Sequence, residues 1–332
     1  MVFIAALFFA TIAKPQNTML THALIYLVSF IAIWLGSGLV VRSVEKLARS
    51  LKISSFAVSF IVLGFFTSIS ELSVGVNSVL ENDPELFVGN LIGASVVLLL
   101  LVVPLLAILG NSIHISQEFQ GLNLPISLLV IAMPVLLAID GEVSRIDGIV
   151  AIFLYILLLT RVQVRQSLLE KWKTLGSEKM SKHGQQLLHI LIGIALIFVA
   201  SKYVVAQTVY FSGLLNISPF VISLLFIAIG TNVPELSLAF RSAFMRNNQV
   251  AFGDYVGSAA FNTFLLGLLT LFYGKTVVLT NNYLSSLLFL VVGLVLFYYF
   301  ARSKNTISRT EGLVLLLLYG AFLYIELRLA AA

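Results

Sequence analysis

Apolar runs long enough to cross a bilayer follow one another along nearly the whole chain, separated by short polar breaks. A helix needs about 20 apolar residues to span the hydrocarbon core. Ten such stretches can be bounded, at about 20–41, 54–80, 86–109, 122–139 and 146–160, then 187–209, 218–243, 250–273, 282–301 and 312–330. Only 11% of the residues are charged, against roughly a quarter in a soluble domain. The longest polar stretch, from about Arg161 to Gln186, leaves no room for one. The expected class is therefore an all-α polytopic membrane protein.

Two of these apolar stretches carry a glutamate near their middle, Glu71 and Glu235. A carboxylate at bilayer depth costs about 3 kcal/mol on insertion scales and marks a pathway, a partner or a bound cation. The surroundings of the two match. Shifting the sequence by 164 residues places Thr67 on Thr231, Glu71-Leu72-Ser73 on Glu235-Leu236-Ser237, Gly89 and Gly93 on Gly253 and Gly257, and Ser37 on Ser201. The same offset sets Ile53, Ser54, Phe56 and Ser59 on Ile217, Ser218, Phe220 and Ser223, and Ser144-Arg145 on Ser308-Arg309. Apolar coincidences are common between membrane segments; Glu, Thr, Ser and Gly at one offset are not.

Five helices per half is an odd number, so the second half enters the membrane the other way up, as an inverted-topology repeat. With both termini outside, fifteen of the twenty Lys and Arg fall in inside loops, Arg42, Lys46, Arg49 and Lys52 among them. The excess of basic residues inside selects this orientation. It also accounts for the net charge of +5 without any nucleic-acid partner. The expected organisation is a leader or interfacial segment at 1–18, a first repeat at 19–160, a cytoplasmic linker at 161–186 and a second repeat at 187–332. Translation from Met19 is an alternative reading of the leader. Cysteine is absent, which excludes disulfides.

On a helix, residues three and four apart share a face. Thr67 and Ser68 then stand beside Glu71, and Thr231 and Asn232 beside Glu235. Hydroxyl, carboxamide and carboxylate oxygens are hard ligands, suited to Na⁺ and Ca²⁺ rather than to Zn²⁺ or Cu²⁺. Pro234 and the glycines at 64, 89, 93, 230, 253 and 257 interrupt the helices and free carbonyls for such a site. Two facing carboxylates repel unless a cation or a shared proton lies between them. Lys202 reads as snorkelling, His189 as interfacial, and Asp140, Asp147 and Glu311 as interfacial caps. The Glu81, Asp83 and Glu85 cluster reads as a solvated turn that caps the next helix. No H-E-x-x-H or Gly-x-Ser-x-Gly motif supports an intramembrane enzyme, and no catalytic residue or cofactor is expected.

Gly-Thr-Asn-Val-Pro-Glu-Leu at 230–236, followed by Gly-Asp-Tyr-Val-Gly-Ser-Ala-Ala-Phe-Asn at 253–262, resembles the second α-repeat of the cation/calcium antiporter superfamily. Thr-Ser-Ile-Ser-Glu-Leu at 67–72 and Gly-Asn-Leu-Ile-Gly-Ala-Ser at 89–95 resemble the first, and the likeness is nearest to sodium/calcium exchangers of prokaryotic type. The resemblance implies ten helices, with ion sites between the second, third, seventh and eighth. It implies Glu71 and Glu235 as central Ca²⁺ ligands, completed by Thr67 and Thr231. Ser68, Asn232 and Ser258, with the carbonyls of Gly64 and Ala228, would serve flanking Na⁺ sites, and Asn262 a middle site.

Phe66, Ser70, Ala94 and Leu98 depart from the family pattern, and the last two remove oxygen ligands from the first half. The expected function is Na⁺/Ca²⁺ exchange by alternating access, with the ions as substrates and the bilayer as partner. A monomer is expected, in a prokaryotic inner membrane. The alternatives are exchange of Ca²⁺ or another divalent cation for H⁺, and a non-transporting cation sensor on the same fold.

Overall fold

The computed structural model describes residues 19–50, 60, 63–115, 123–161, 184–245, 248–279 and 284–330. The expected leader at 1–18 and nearly all of the linker at 161–186 lie outside the described residues, as do Ile53, Ser54, Phe56 and Ser59. In chain order the helices of the first half are α1 (Met19–Ser50), α2 (Gly64–Thr67), α3 (Ile69–Leu80), α4 (Glu85–Val97), α5 (Val103–Leu109), α6 (Asn123–Leu137) and α7 (Arg145–Arg161). The second half holds α8 (Gly184–Leu215), α9 (Pro219–Ile222), α10 (Ala228–Thr231), α11 (Val233–Met245), α12 (Asn248–Tyr273), α13 (Leu284–Lys304) and α14 (Arg309–Ala330). Four two-residue strands accompany them: β1 (Ile113–His114), β2 (Glu142–Val143), β3 (Val277–Val278) and β4 (Thr306–Ile307).

Every apolar stretch bounded from the sequence contains helix, but not every one is a single straight rod. Six uninterrupted helical segments among the described residues are long and apolar enough to cross a membrane. A seventh arises if the pair Pro219–Thr231 and Val233–Phe240, bent by 42°, counts as one crossing. The chain is an integral membrane protein: large apolar side chains such as Leu27, Phe153, Leu191, Val295 and Leu317 are exposed around the outside, where only lipid could cover them.

The segments differ in depth. Burial claims 83% of the apolar window of Glu85–Leu109 and 78% of that of Ala251–Tyr273, so α4 and α12 form the centre. The corresponding share is 33% for α1, 39% for α8 and 28% for α14, which places these at the periphery. Close approach of the central helices depends on glycine. A Cβ on Gly93 would run into the carbonyl oxygen of Leu224, and one on Gly257 into that of Phe60. These two contacts are one contact made twice, related by the 164-residue offset.

The strands show the same exchange between halves. β1 pairs antiparallel with β4, Ile113 opposite Ile307 and His114 opposite Thr306. β2 pairs with β3, Glu142 opposite Val278 and Val143 opposite Val277. The offset carries the first ribbon onto the second, residue for residue. Gly141 and Asn305, the matching residues just before β2 and β4, both take positive φ (88° and 52°), where glycine and asparagine are the tolerated residues.

The helix starts after β2 and β4 repeat too. Asp147 accepts from the backbone N–H and hydroxyl of Ser144 at 2.8 and 2.6 Å, and Glu311 from those of Ser308 at 2.7 and 2.7 Å. The capping role read for these two acids is what they perform. Asp140 accepts from the N–H of Glu142 at 3.2 Å and holds the turn. At the start of α4 Pro84 occupies the cap position without a side-chain cap bond, and the Asp83 carbonyl accepts the N–H of Leu86 at 3.2 Å. Lys202, read as snorkelling or pairing with a carboxylate, is exposed, and His189 is half-buried.

Candidate cation site

Both glutamate-bearing stretches are broken beside their glutamate. α2 ends at Thr67, Ser68 leaves helical geometry (φ −74°, ψ 7°), and α3 begins at Ile69. In the second half α10 ends at Thr231, Asn232 departs in the same way (φ −91°, ψ 10°), and α11 begins at Val233. Pro234 explains the second break, because it lacks the N–H that would continue the ladder. The first half has Ser70 there instead, whose single hydroxyl proton is shared between the Thr67 carbonyl at 3.0 Å and Glu71 Oε2 at 2.9 Å. A side chain thus substitutes for the lost backbone bond. Ahead of both breaks the helix widens into a π turn, at Ser223–Ile227 and at Phe60 and Leu63. The continuous helical face expected for Thr67, Ser68 and Glu71 is therefore interrupted between them.

The breaks bring the predicted residues together across the halves. Ser68 Oγ lies 2.7 Å from Ser258 Oγ on α12. Asn232 donates its carboxamide N–H to Glu71 Oε1 at 3.3 Å, and Ser70 donates to Glu71 Oε2 at 2.9 Å. Asn262 donates to Ser95 Oγ at 3.3 Å. Glu71, Glu235, Thr67, Thr231, Ser68, Asn232, Ser258 and Asn262 are all buried. The Gly64 carbonyl accepts from Ser68 Oγ at 2.8 Å and the Ala228 carbonyl from Asn232 Nδ2 at 2.8 Å. Each also accepts the backbone N–H of that same residue at 3.3 Å and a threonine hydroxyl, Thr67 or Thr231, at 3.4 Å.

Acceptors outnumber donors here. Both carboxylate oxygens of Glu235 are buried without a hydrogen-bond partner, and so are Asn232 Oδ1 and Asn262 Oδ1. Buried polar atoms are nearly always partnered, and leaving one bare costs about 1–3 kcal/mol, more for a charge. Four bare acceptors in one neighbourhood mark a place built for a positive species. Among the described residues no group of three or more His, Cys, Asp or Glu could hold a metal. The donor set is therefore mixed, two glutamates with hydroxyl, carboxamide and carbonyl oxygens, which suits hard cations.

Four residues in the site, Asn90, Asp254, Ser95 and Tyr255, were not assigned to it from the sequence. Thr67 Oγ1 donates to Asp254 Oδ1 at 3.2 Å, and Thr231 Oγ1 donates to Asn90 Oδ1 at 3.4 Å. The 164-residue offset turns one bond into the other. That offset, applied to Asp254, points at Asn90 and was the available signal. Ser95 and Tyr255 also join: the Tyr255 hydroxyl donates to the Glu235 carbonyl at 3.1 Å and ties α12 to α11. Leu98 is fully buried within the main apolar cluster, where a ligand oxygen had been the family expectation.

An integral membrane protein with two buried, repeat-related glutamates in a surplus of hard oxygen acceptors is a cation-handling membrane protein. The family model described as sodium/calcium exchanger protein matches residues 21–163 and 186–328. The chain belongs to that family. It is 24% identical to the sodium/calcium exchanger MaX1 of Methanosarcina acetivorans, over 91% of this chain and 97% of that one. It is 28% identical to the inner membrane protein YrbG of Escherichia coli, over 75% of this chain and 79% of that one. A structure of the sodium-calcium exchanger NCX_Mj soaked with Na⁺ and Sr²⁺ matches with a TM-score of 0.67 at 25% identity, covering 91% of this chain and 97% of that one.

Proposed function

We propose that the chain is a secondary antiporter exchanging Na⁺ for Ca²⁺ by alternating access, with Glu71 and Glu235 as the central cation ligands. The observation that carries this is the Glu235 carboxylate, wholly buried and without a donor on either oxygen. A buried ion left unpaired costs several kcal/mol, and a bound cation removes that cost. Thr67, Thr231, Ser68, Asn232, Ser258 and Asn262, with the carbonyls of Gly64 and Ala228, complete the sites for Ca²⁺ and Na⁺. Competition of the two ions for the same glutamates makes exchange obligatory, because an empty site carrying two charges is costly to occlude. No catalytic step and no cofactor enter.

Ten crossings in two inverted halves, 19–160 and 187–332 joined by the 161–186 linker, are part of this proposal, as are outside termini and a monomeric state in a prokaryotic inner membrane. The ribbons support the topology. β1 and β4 lie in two loops assigned to the inside, β2 and β3 in two assigned to the outside, and each ribbon joins loops of one side. α1 and α8 are the elements that move against the rest. Gly36 and Gly193 let their backbones touch, and Tyr26 and Thr208 bond across at 3.0 Å. Their buried apolar residues join Val74, Leu86 and Ile227 in one small cluster and Leu63 and Ile69 in another, both distinct from the main core. The test is Ca²⁺ uptake into proteoliposomes under a Na⁺ gradient, repeated with a pH gradient alone. Uptake driven by Na⁺ is expected. Uptake driven only by pH would transfer the coupling to H⁺, and silence under both would favour a non-transporting sensor.

A further inference from the structure

The repeat-related bonds at Thr67 and Thr231 end on different chemistry. Thr231 meets the neutral carboxamide of Asn90, whereas Thr67 meets the carboxylate of Asp254. Asp254 is fully buried. Thr67, Glu235 and Asp254 line a single cavity of about 290 Å³ whose wall continues along α1 to Arg42. Glu235 lines that cavity, and neither of its carboxylate oxygens has a donor. One end of the pathway thus presents two buried carboxylates and a hydroxyl.

We propose that Asp254, Glu235 and Thr67 form a cation subsite on the Arg42 side of the central site, which the repeat does not reproduce at Asn90. It rests on the cation-site reading above. Two carboxylates and a hydroxyl are a hard, doubly negative set, so the preferred occupant is a divalent cation of the Ca²⁺ type. Arg42 shares the cavity, but it is exposed and its charge is screened by water and salt within about 8 Å. The buried carboxylates are not. Under the proposed orientation this is the cytoplasmic side, and the asymmetry makes the protein collect Ca²⁺ more tightly there than from the opposite face.

The experiment uses the full chain and Ca²⁺ alone as probe. Equilibrium Ca²⁺ binding to purified wild type and Asp254→Asn is measured, followed by Ca²⁺ flux in vesicles of each orientation. Asp254→Asn is expected to weaken binding at least tenfold and to raise the half-saturating Ca²⁺ concentration at the Arg42 face only. The charge-conserving pair Asn90→Asp with Asp254→Asn should move tight binding to the opposite face. If Asp254→Asn fails to fold, Asn90→Asp alone should tighten binding at the opposite face. Unchanged binding in folded Asp254→Asn, an equal loss at both faces, or no gain in Asn90→Asp would each overturn the subsite. Asp254-dependent binding without any wild-type flux would retain the subsite and remove the transport reading. Flux that needs Glu71 and whose half-saturating Ca²⁺ concentration is unchanged at both faces in Asp254→Asn would do the reverse.

Discussion

Asn232 donates to Glu71, 161 residues away in the other half of the chain, at 3.3 Å, while the carboxylate of Glu235, three positions beyond Asn232, receives no donor on either oxygen. Glu71 is thus held in part by a residue of the opposite half, and only this one of the two carboxylates is compensated. The arrangement is asymmetric within a nearly symmetric frame.

Neutral replacement of the glutamates separates binding from folding. Glu235→Gln removes a buried charge that has no partner, so the cation-free protein should melt at a higher temperature than wild type. Glu71→Gln loses two favourable hydrogen bonds to a charged group and should melt no higher. Both should abolish Ca²⁺ transport. At a Ca²⁺ concentration 100 times its dissociation constant, wild type should gain about 2.7 kcal/mol of stability and both variants should gain almost none. Thermal unfolding with and without Ca²⁺ reads all of this; full transport by either variant would remove the central-ligand assignment.

The ribbons allow the topology to be tested directly, because the chain has no native cysteine to confuse labelling. His114→Cys with Thr306→Cys, and Glu142→Cys with Val278→Cys, place thiols at directly opposed strand positions. Opposed residues on neighbouring strands have Cβ atoms about 5 Å apart, within reach of a disulfide after small adjustment. Both pairs should cross-link on oxidation. A membrane-impermeant thiol reagent should reach the two pairs from opposite sides of the membrane. Labelling of both from one side would contradict the inverted arrangement.

Much of this architecture was legible before any coordinates. The 164-residue offset located both glutamates, their threonines and the close-packing glycines, since those residue types recur only for a structural or chemical reason. Pro234 announced the break at Asn232. The equivalent break at Ser68 was hidden, because a serine at 70 signals nothing until its hydroxyl is seen on the Thr67 carbonyl. The offset paired Asp254 with Asn90 but did not reveal their place in the site. A residue in the first turns of a helix faces its own N-terminus or its neighbours according to how the helices cross, and sequence does not fix that crossing. The ribbons are two residues long, too short for any alternating pattern. Glu326 went unremarked near the C-terminus, yet it is buried between α13 and α14 and accepts from Ser285 and Ser286 at 2.7 Å each.

The glycine contacts of the central helices should tolerate nothing larger. Gly93→Ala and Gly257→Ala each push a methyl into a backbone carbonyl that no rotamer change can move aside. A loss of about 1–3 kcal/mol per substitution is expected from overpacking, with transport falling as the glutamate-bearing helices shift outward. Gly320→Ala on α14, where nothing lies within 4 Å of the added carbon, is the control and should lower neither stability nor flux.

Leu98 offers a test of what the first half lacks. Its repeat-equivalent is Asn262, whose Oδ1 is one of the bare acceptors and whose amide already engages Ser95 on α4. Leu98 lies one turn beyond Ala94, at the start of a π segment, Leu98–Val102, that interrupts α4 before α5. Leu98→Asn would restore the pseudo-symmetric partner. In the absence of ions the buried carboxamide should destabilise the protein by about 1–3 kcal/mol, because the surrounding cluster is apolar. In return it adds an oxygen to the first half, so the Na⁺ concentration needed for half-maximal Ca²⁺ efflux should fall. Flux measured against Na⁺ concentration in wild type and Leu98→Asn decides this. A lower stability together with an unchanged Na⁺ dependence would mean that the side chain at 98 points into the apolar cluster and takes no part in ion binding, leaving Na⁺ to the second half's Ser258 and Asn262.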